Sequence, residues 1–232
     1  NSILEIPTYS HGSVTGRTSI KSGHNFLTMK KDKRKLLKPL DENSVLFEID
    51  FKSCEPYFYL LNLGIVIDNS DVYKHISNLL NIKSIPRDKL KRAIISILYG
   101  ATAKTVKNLS GISLNKINEI YKFLKIDYFK KILNNEFEKK SFILNYYGRP
   151  IASNANVINY WTQSSAVDFC CLSFYSMLQK YSFLNVHAII HDAIILSCSE
   201  KYFDSIKNLK SLSCPESNFS IPIEINVINV NN

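Results

Sequence analysis

The sequence lacks a hydrophobic run long enough to cross a membrane. Its longest apolar stretch, residues 57–67, is interrupted by Asn62 and is shorter than the roughly 20 residues that a membrane helix needs. No signal peptide precedes it, which favours an intracellular, cytoplasmic protein without a membrane partner. Internal repeats and low-complexity segments are also absent.

Cysteine is scarce and has no metal-binding pattern. The five cysteines are an odd number, and no two of them form a Cys-x-x-Cys pair. Both features argue against a disulfide framework and against a structural zinc site. We therefore expect the cysteines to be reduced and mostly buried.

Acidic residues are outnumbered by basic ones. The chain has 29 Lys and Arg residues against 20 Asp and Glu, a formal net charge of +9. This balance favours nucleic acid or another polyanion as a partner, although many basic proteins bind nothing specific. The basic run at residues 30–35 is typical of a solvated surface, with a track for a phosphate backbone as the alternative.

The composition is that of a globular protein. Hydrophobic residues make up 45% of the chain and aromatic residues 12%, and 232 residues suffice for one large or two modest domains. The chain starts with Asn rather than Met, so we expect a fragment of a longer protein.

The apolar periodicity places strands near both ends of the chain and helices in between. Strands are predicted at residues 44–51, in a hairpin around Asp192, and at 221–227. Helices are predicted at residues 55–63, 69–80, 87–98, 113–124, 128–139, 156–181 and 201–212.

Two aspartates end apolar segments that are far apart in the sequence. Asp50 follows the apolar run 44–49, and Asp192 lies in the middle of the strand-turn-strand pattern 188–196. Carboxylates at a strand end and a hairpin tip can meet across adjacent strands, where they repel each other unless a divalent cation neutralises them. Either aspartate alone is more typical of a turn or a helix cap. Together they predict a site for a metal-bound, phosphate-bearing substrate.

One basic helix carries a regular row of side chains. Arg87, Lys91, Ile95 and Tyr99 recur every four residues and therefore share one broad face. Two cations suit a triphosphate, and an apolar side chain followed by an aromatic ring suits a sugar and a base. The alternative is an amphipathic helix whose basic residues simply face water.

These segments resemble motifs A, B and C of the family A DNA polymerases, the bacterial DNA polymerase I group. The matching segments are Asp50-Phe51-Lys52-Ser53-Cys54-Glu55, Arg87-x-x-x-Lys91-x-x-x-Ile95-x-x-x-Tyr99-Gly100, and His191-Asp192. Thr15-Gly16-Arg17 and the pair Asn159 and Gln163 resemble flanking segments of the family. The resemblance runs from about residue 15 to the C-terminus, with the motifs in the family's order.

The resemblance implies an α+β fold. Residues 1–55 and 153–232 would form a palm with an antiparallel sheet and the catalytic hairpin, and residues 56–152 would form helical fingers. Nothing upstream of the Thr-Gly-Arg segment resembles a thumb or a proofreading exonuclease, so another segment or subunit would have to supply the clamp.

The implied activity is template-dependent DNA synthesis. The chain would extend a primer 3′ end by two-metal nucleotidyl transfer, with primer-template DNA and deoxynucleoside triphosphates as partners. By the same resemblance, two Mg²⁺ ions would be held by Asp50, Asp192 and the backbone carbonyl of Phe51.

The resemblance also implies roles for the other motif residues. Arg87 and Lys91 would neutralise the triphosphate, and Lys91 would protonate the leaving pyrophosphate. Tyr99 and Gly100 would flank the templating position, and Glu55 would exclude a 2′-hydroxyl. The residues that would contact the minor groove or the primer terminus are Arg17, Asn159, Gln163 and His191.

Simpler explanations stay open for several of these residues. Glu55 can favour the start of its helix, Gln163 can lie on an exposed turn, and His191 can be an ordinary turn residue. A catalytically impaired nucleic-acid-binding module would need the cations but not the paired carboxylates, and an RNA polymerase or primase usually has a small residue in place of Glu55.

Three residues depart from the family pattern. Ile95 stands where Phe or Tyr is common, Tyr73 stands where a phosphate-contacting His is common, and Ala193 follows Asp192 where Glu is usual. The departures leave the two-carboxylate arrangement intact. They leave rate and fidelity open.

Overall fold

The chain is divided into a sheet unit and a helical unit. The computed structural model describes residues 5–10, 12–39, 41, 43–67 and 71–231. The sheet unit comprises residues 1–52 and 167–232, and the helical unit comprises residues 53–166. Both domain boundaries suggested by the sequence, after residues 55 and 152, lie inside the helical unit.

The described residues form both helices and strands. The helices are α1 (Lys31–Arg34), α2 (Cys54–Asn62), α3 (Val72–Leu79), α4 (Arg87–Leu98), α5 (Ala103–Ser110), α6 (Leu114–Phe123), α7 (Ile126–Lys140), α8 (Val157–Lys180) and α9 (Glu200–Phe203). The strands are β1 (Thr8–Ser10), β2 (Ser19–Ser22), β3 (Ser44–Phe51), β4 (Ile143–Leu144), β5 (Pro150–Ile151), β6 (Asn185–Ile190), β7 (Ala193–Ser199), β8 (Ser211–Ser213) and β9 (Ser220–Asn231). None of these helices has the length and apolar character needed to cross a membrane.

The sheet unit is built on a five-stranded antiparallel sheet. Its strand order is β6-β7-β3-β9-β8, with β3 in the centre. The first six residues of β3 are all buried, as expected for a strand that is covered on both faces. The mixed α+β class with an antiparallel sheet, predicted from the sequence, is confirmed.

The end of β3 is anchored by aromatic packing. Phe51 is 2% exposed, and its ring centroid lies 5.5 Å from that of Phe169 and 5.2 Å from that of Phe174, both on α8. Burying a Phe side chain contributes about 1.5–3 kcal/mol. Because successive strand residues point to opposite faces, this packing leaves Asp50 on the other face of the sheet.

In the helical unit, α4 follows the sequence prediction for residues 87–98. Pro86 is its N-cap, in keeping with the preference for proline at helix starts. Its buried residues are Leu90, Ala93, Ile94, Ile97 and Leu98. This i, i+3, i+4, i+7, i+8 spacing defines a single apolar stripe.

Some local predictions were wrong. The helix predicted at residues 201–212 is limited to α9, and its last residues form strand β8, where buried Leu212 pairs with Ile221 of β9. This cross-strand contact outweighs the helical pattern. Helix α5 was not predicted. Of the helix predicted at 69–80, residues 69 and 70 lie outside the described residues.

The cysteines follow the prediction in their burial. Four of them are buried, and Cys171 is exposed on α8. The basic run at residues 30–35 differs from a uniformly solvated surface, because the Arg34 side chain is only 11% exposed and pairs with a buried glutamate.

Candidate active site

Asp50, near the end of β3, and Asp192, in the turn between β6 and β7, lie at the same end of the sheet. Asp50 is in register with Ala193, and the backbone N–H of Phe51 donates to the carbonyl oxygen of Asp192 at 3.0 Å. Within the sheet unit, the backbone of the strand-end aspartate therefore lies beside that of the hairpin-tip aspartate, as the sequence predicts.

The hairpin that carries Asp192 has a strained turn. Only His191 and Asp192 separate β6 from β7, and His191 adopts a positive φ of 54°. Two-residue hairpins need positive φ in the turn, which Gly supplies more easily than other residues. Keeping His at this position is a local cost of the kind often found at functional sites.

Asp192, His191 and Arg17 influence one another electrostatically at the hairpin. Asp192 keeps an exposed surface, yet desolvation of its carboxyl group raises its pKa, against the opposing influence of His191 and Arg17. Desolvation, with Arg17, lowers the pKa of His191. Arg17, predicted from the Thr-Gly-Arg segment, therefore lies within electrostatic range of the hairpin.

A second acidic residue of β3 has its own counterion. Glu48 shares a face of the strand with Asp50, is 5% exposed, and accepts from Nη1 of Arg34 at 2.8 Å. The Nε of Arg34 donates to the carbonyl of Met29 at 3.2 Å. The negative charge of Glu48 is thus neutralised by Arg34.

The oxygen donors near Asp50 suit a Mg²⁺ ion whose remaining ligands are waters and substrate phosphates. They do not form a complete coordination shell by themselves. Within the described residues, no group of three or more His, Cys, Asp or Glu side chains could hold a metal ion. Mg²⁺ is usually bound by one or two carboxylates together with waters and substrate phosphates. The carboxylates of Asp50 and Asp192 and the backbone carbonyl of Phe51 are hard oxygen donors, and they match that requirement.

In the helical unit, the row predicted on α4 lies on its accessible side. Arg87, Lys91 and Tyr99 are exposed and Ile95 is partly exposed, beside the buried stripe. Lys91 and Ile95 line an open cavity of about 370 Å³ together with Asp88, Arg92 and Ser96. An accessible row of cations that ends in an aromatic ring can bind a phosphate-bearing ligand.

Arg87 is held by two side chains near α3. Its Nε and Nη2 lie 2.6 and 2.5 Å from Oδ2 of Asp71, and its guanidinium lies 5.2 Å from the ring centroid of Tyr73. Hydrogen bonding to Asp71 raises the pKa of Arg87. Tyr73 is 1% exposed, and burial raises its pKa to about 12. In this structure the tyrosine ring lies under Arg87 and is not open to solvent.

The C-terminal end of α4 contacts two other segments. The hydroxyl of Tyr99 donates to Oε1 of Glu55 at 3.3 Å, and Nδ2 of Asn156 donates to the carbonyl of Tyr99 at 2.6 Å. Gly100 has φ 80°, and a Cβ there would lie 2.8 Å from Oδ1 of Asn156. Both constraints explain glycine at this position.

Asn159 and Gln163 lie one turn apart on α8, within the helical unit. Gln163 is 7% exposed, so it does not lie on an exposed turn. The Oδ1 atom of Asn159 is buried without a hydrogen-bond partner within the described residues, which is costly unless a donor is supplied.

The sequence predicts Asp71 among the possible N-caps of its helix, but it assigns neither Asn156 nor Asp71 to the candidate site. Asn156 precedes a long helix and Asp71 precedes a shorter one, and both have the residue type of an N-cap. Asp71 accepts from the backbone N–H of Tyr73 and Lys74. That signal locates a helix start, but it does not reveal the contacts with Tyr99 and Arg87.

The chain is a mixed α+β domain similar in fold to a polymerase domain. The POL domain of Pol1 from M. smegmatis, in complex with DNA primer-template and dNTP, matches it with a TM-score of 0.68 and 12% identity. The match covers 95% of this chain and 47% of that chain, so this chain spans about half the length of that structure. No protein-family model and no curated protein matches the chain. The likeness therefore establishes the fold.

Proposed function

We propose that this chain is the palm-and-fingers core of a family A DNA polymerase. It would add deoxynucleotides to a primer 3′ end under the direction of a template strand. Residues 1–55 and 153–232 would be the palm, and residues 56–152 the fingers. The observation that carries the proposal is the placement of Asp50 and of the hairpin-turn residue Asp192 at the same end of the sheet in a polymerase-like fold.

The carboxylates are assigned to metal binding. Asp50, Asp192 and the backbone carbonyl of Phe51 would hold two Mg²⁺ ions, whose charge stabilises the entering and leaving oxygens of the transferred phosphoryl group. Burial raises the pKa of Asp192, and a bound cation would favour the ionised carboxylate that burial disfavours. His191 and Arg17 would position the primer terminus.

The accessible row on α4 is assigned to the nucleotide. Arg87 and Lys91 would neutralise the triphosphate, and Lys91 would donate a proton to the leaving pyrophosphate. Ile95 would contact the sugar or base. Tyr73 would act by supporting the Arg87 guanidinium from below, since its ring is buried.

The remaining motif residues are assigned to sugar and template. Glu55 would exclude a 2′-hydroxyl, and its hydrogen bond with Tyr99 would fix its side chain. Tyr99 and Gly100 would flank the templating base. Asn159 and Gln163 would contact the minor groove, where correct base pairs present similar acceptors to side-chain amide N–H groups.

Primer extension tests the substrate class. With Mg²⁺ and a primed template, we expect deoxynucleotides to be incorporated at least about tenfold faster than ribonucleotides, a difference of about 1.4 kcal/mol. Replacing Glu55 with Ala should lower the ratio of the deoxynucleotide to the ribonucleotide incorporation rate. Equal rates with both nucleotides for the unaltered protein would remove the assignment to DNA synthesis.

The variant Asp192→Asn tests catalysis separately from binding. The extension rate should fall by at least about a thousandfold, since charge stabilisation by the metal is worth several kcal/mol. The dissociation constant for primer-template, measured by gel shift, should stay within about threefold of that of the unaltered protein. Asp204→Asn, on an exposed turn of the sheet unit, should preserve both. Retained extension in Asp192→Asn would contradict the metal assignment.

A second candidate function is nucleic-acid binding without catalysis. The formal charge of +9 favours it, because binding a polyanion needs cations but no paired carboxylates. The same assays separate the two functions, because a binding module would shift the DNA but show no extension even in the unaltered chain.

A further inference from the structure

Glu224 on β9 lies directly opposite Asp50 on β3. The two strands are antiparallel, with Asp50 in register with Glu224 and Phe51 with Ile223. The backbone N–H of Lys52 donates to the carbonyl of Pro222 at 2.9 Å. The alternation of antiparallel ladders makes Asp50 and Glu224 the next hydrogen-bonded pair, with Cα atoms about 5.5 Å apart. Opposite residues project from the same face of the sheet.

The other neighbour of Asp50 on this face carries no charge. Across β7, Asp50 is in register with Ala193. The row across the three strands therefore reads Ala193, Asp50, Glu224, with a carboxylate on the β9 side only. Asp192 follows on the hairpin turn beside Ala193.

Glu224 differs from Glu48, the other glutamate on this face. Glu48 is buried and paired with Arg34, so its charge is already compensated. Glu224 is exposed and has no ion pair or side-chain hydrogen bond within the described part of the chain. Like charges directly opposite each other in a sheet destabilise it. A cation between them would remove that repulsion.

We propose that Glu224 is a positioning residue for the divalent cation bound by Asp50. The inference rests on the proposed function. Glu224 acts on waters retained by the cation and not as a direct ligand, in keeping with the absence of a three-ligand group among the described residues. Mg²⁺ retains several waters in such sites, and carboxylates outside the coordination sphere orient ligands and raise metal affinity.

Cation titration of Glu224→Gln tests the inference without relying on activity. We expect the dissociation constant for Mn²⁺, measured by electron paramagnetic resonance, to rise about tenfold. In EDTA, the Tm should stay unchanged or rise by up to about 2 °C, because a like-charge repulsion is removed. Glu224→Asp should recover part of the affinity.

Glu216→Gln is the matched control. It makes the same charge change in the exposed turn between β8 and β9 and should leave the dissociation constant unchanged. If both variants weaken Mn²⁺ binding equally, the effect is one of overall charge and the inference is wrong. A lower Tm of Glu224→Gln in EDTA with unaltered Mn²⁺ binding would show a structural role and also overturn it.

Failure of the inference can be separated from failure of the proposed function. If the unaltered protein binds Mn²⁺ and extends primers while Glu224→Gln binds Mn²⁺ equally well, only the inference fails. If the unaltered protein shows neither cation binding nor extension, the proposed function fails and the inference falls with it.

Discussion

Arg87 has an acidic partner of its own on the helical unit. Asp71 caps α3 through two backbone N–H groups and holds Arg87 through its other oxygen. Burial works against ionisation of Asp71, but the hydrogen bonds from Arg87 and from the backbone outweigh it and lower its pKa. The pair fixes the direction of the guanidinium, and a nucleotide phosphate would have to share Arg87 with Asp71.

Asp71→Asn separates the cap from the ion pair. Asn is as good an N-cap as Asp, so the variant loses only the charge on Asp71. The side chains of Arg87 and Asp71 are 51% and 31% exposed, and solvent screening limits the loss of unfolding free energy at pH 7 to below about 1 kcal/mol. The affinity for a deoxynucleoside triphosphate should rise, because Arg87 is no longer neutralised.

The stability difference should depend on pH in one direction. Asp71 has a folded pKa below its ordinary value of 3.8, so its contribution is complete above that value and is lost as the pH falls through the folded pKa. Urea unfolding at pH 7, 5 and 3 measures this. Asp88→Asn, whose carboxylate is 3.7 Å from Arg87, is the control and should cost less. A difference that grows as the pH falls would contradict the ion-pair account.

At the scale of the element, the conformation at the C-terminal end of α4 depends on contacts of its last residues with a distant segment of the chain. Tyr99 is the C-cap, Gly100 turns with positive φ, and the Asn156 side chain packs against that turn. The orientation of Tyr99 thus depends on a residue 57 positions further along the chain.

Gly100→Ala should destabilise the protein by about 2 kcal/mol or more. Left-handed backbone costs a non-glycine residue about 1–2 kcal/mol, and the new Cβ would meet the Asn156 amide at 2.8 Å. Gly64→Ala is a matched control, since Gly64 has φ 75° and no atom within 4 Å of its Cβ position. Thermal unfolding of both variants should show a larger loss at Gly100, part of which Asn156→Ala recovers in the double variant. Equal losses at the two glycines would rule out the Asn156 contact.

Local sequence patterns predict the elements better than the contacts between them. Residues 44–51 and 87–98 were predicted as they occur, because apolar runs and a proline start are encoded locally. The sequence predicts a helix where β8 occurs, because the identity of this strand depends on pairing with β9. The same limit applies to Glu224, whose place opposite Asp50 is set by the register of β9, including its irregularity near Leu46.

For the whole molecule, the net charge is distributed unevenly. Residues 53–166 contain 16 of the 29 Lys and Arg residues but only 8 of the 20 Asp and Glu residues, so they carry +8 of the formal +9. The sheet unit is close to neutral. If the protein binds DNA, the salt-dependent part of its affinity should therefore come mainly from the helical unit.

Neutralising three lysines in each unit tests this distribution. Lys122, Lys125 and Lys130 are exposed and line a cavity of about 830 Å³ that includes Gly100, whereas Lys201, Lys207 and Lys210 are exposed on the sheet unit. Each lost phosphate contact lowers the slope of log affinity against log salt by about 0.9 for duplex and about 0.7 for single-stranded DNA. By fluorescence anisotropy of a labelled primer-template, the first triple Gln variant should lose about two units of slope. The second variant should change little. Equal losses would mean that the helical unit has no special part in DNA binding, because both variants remove the same charge from the chain.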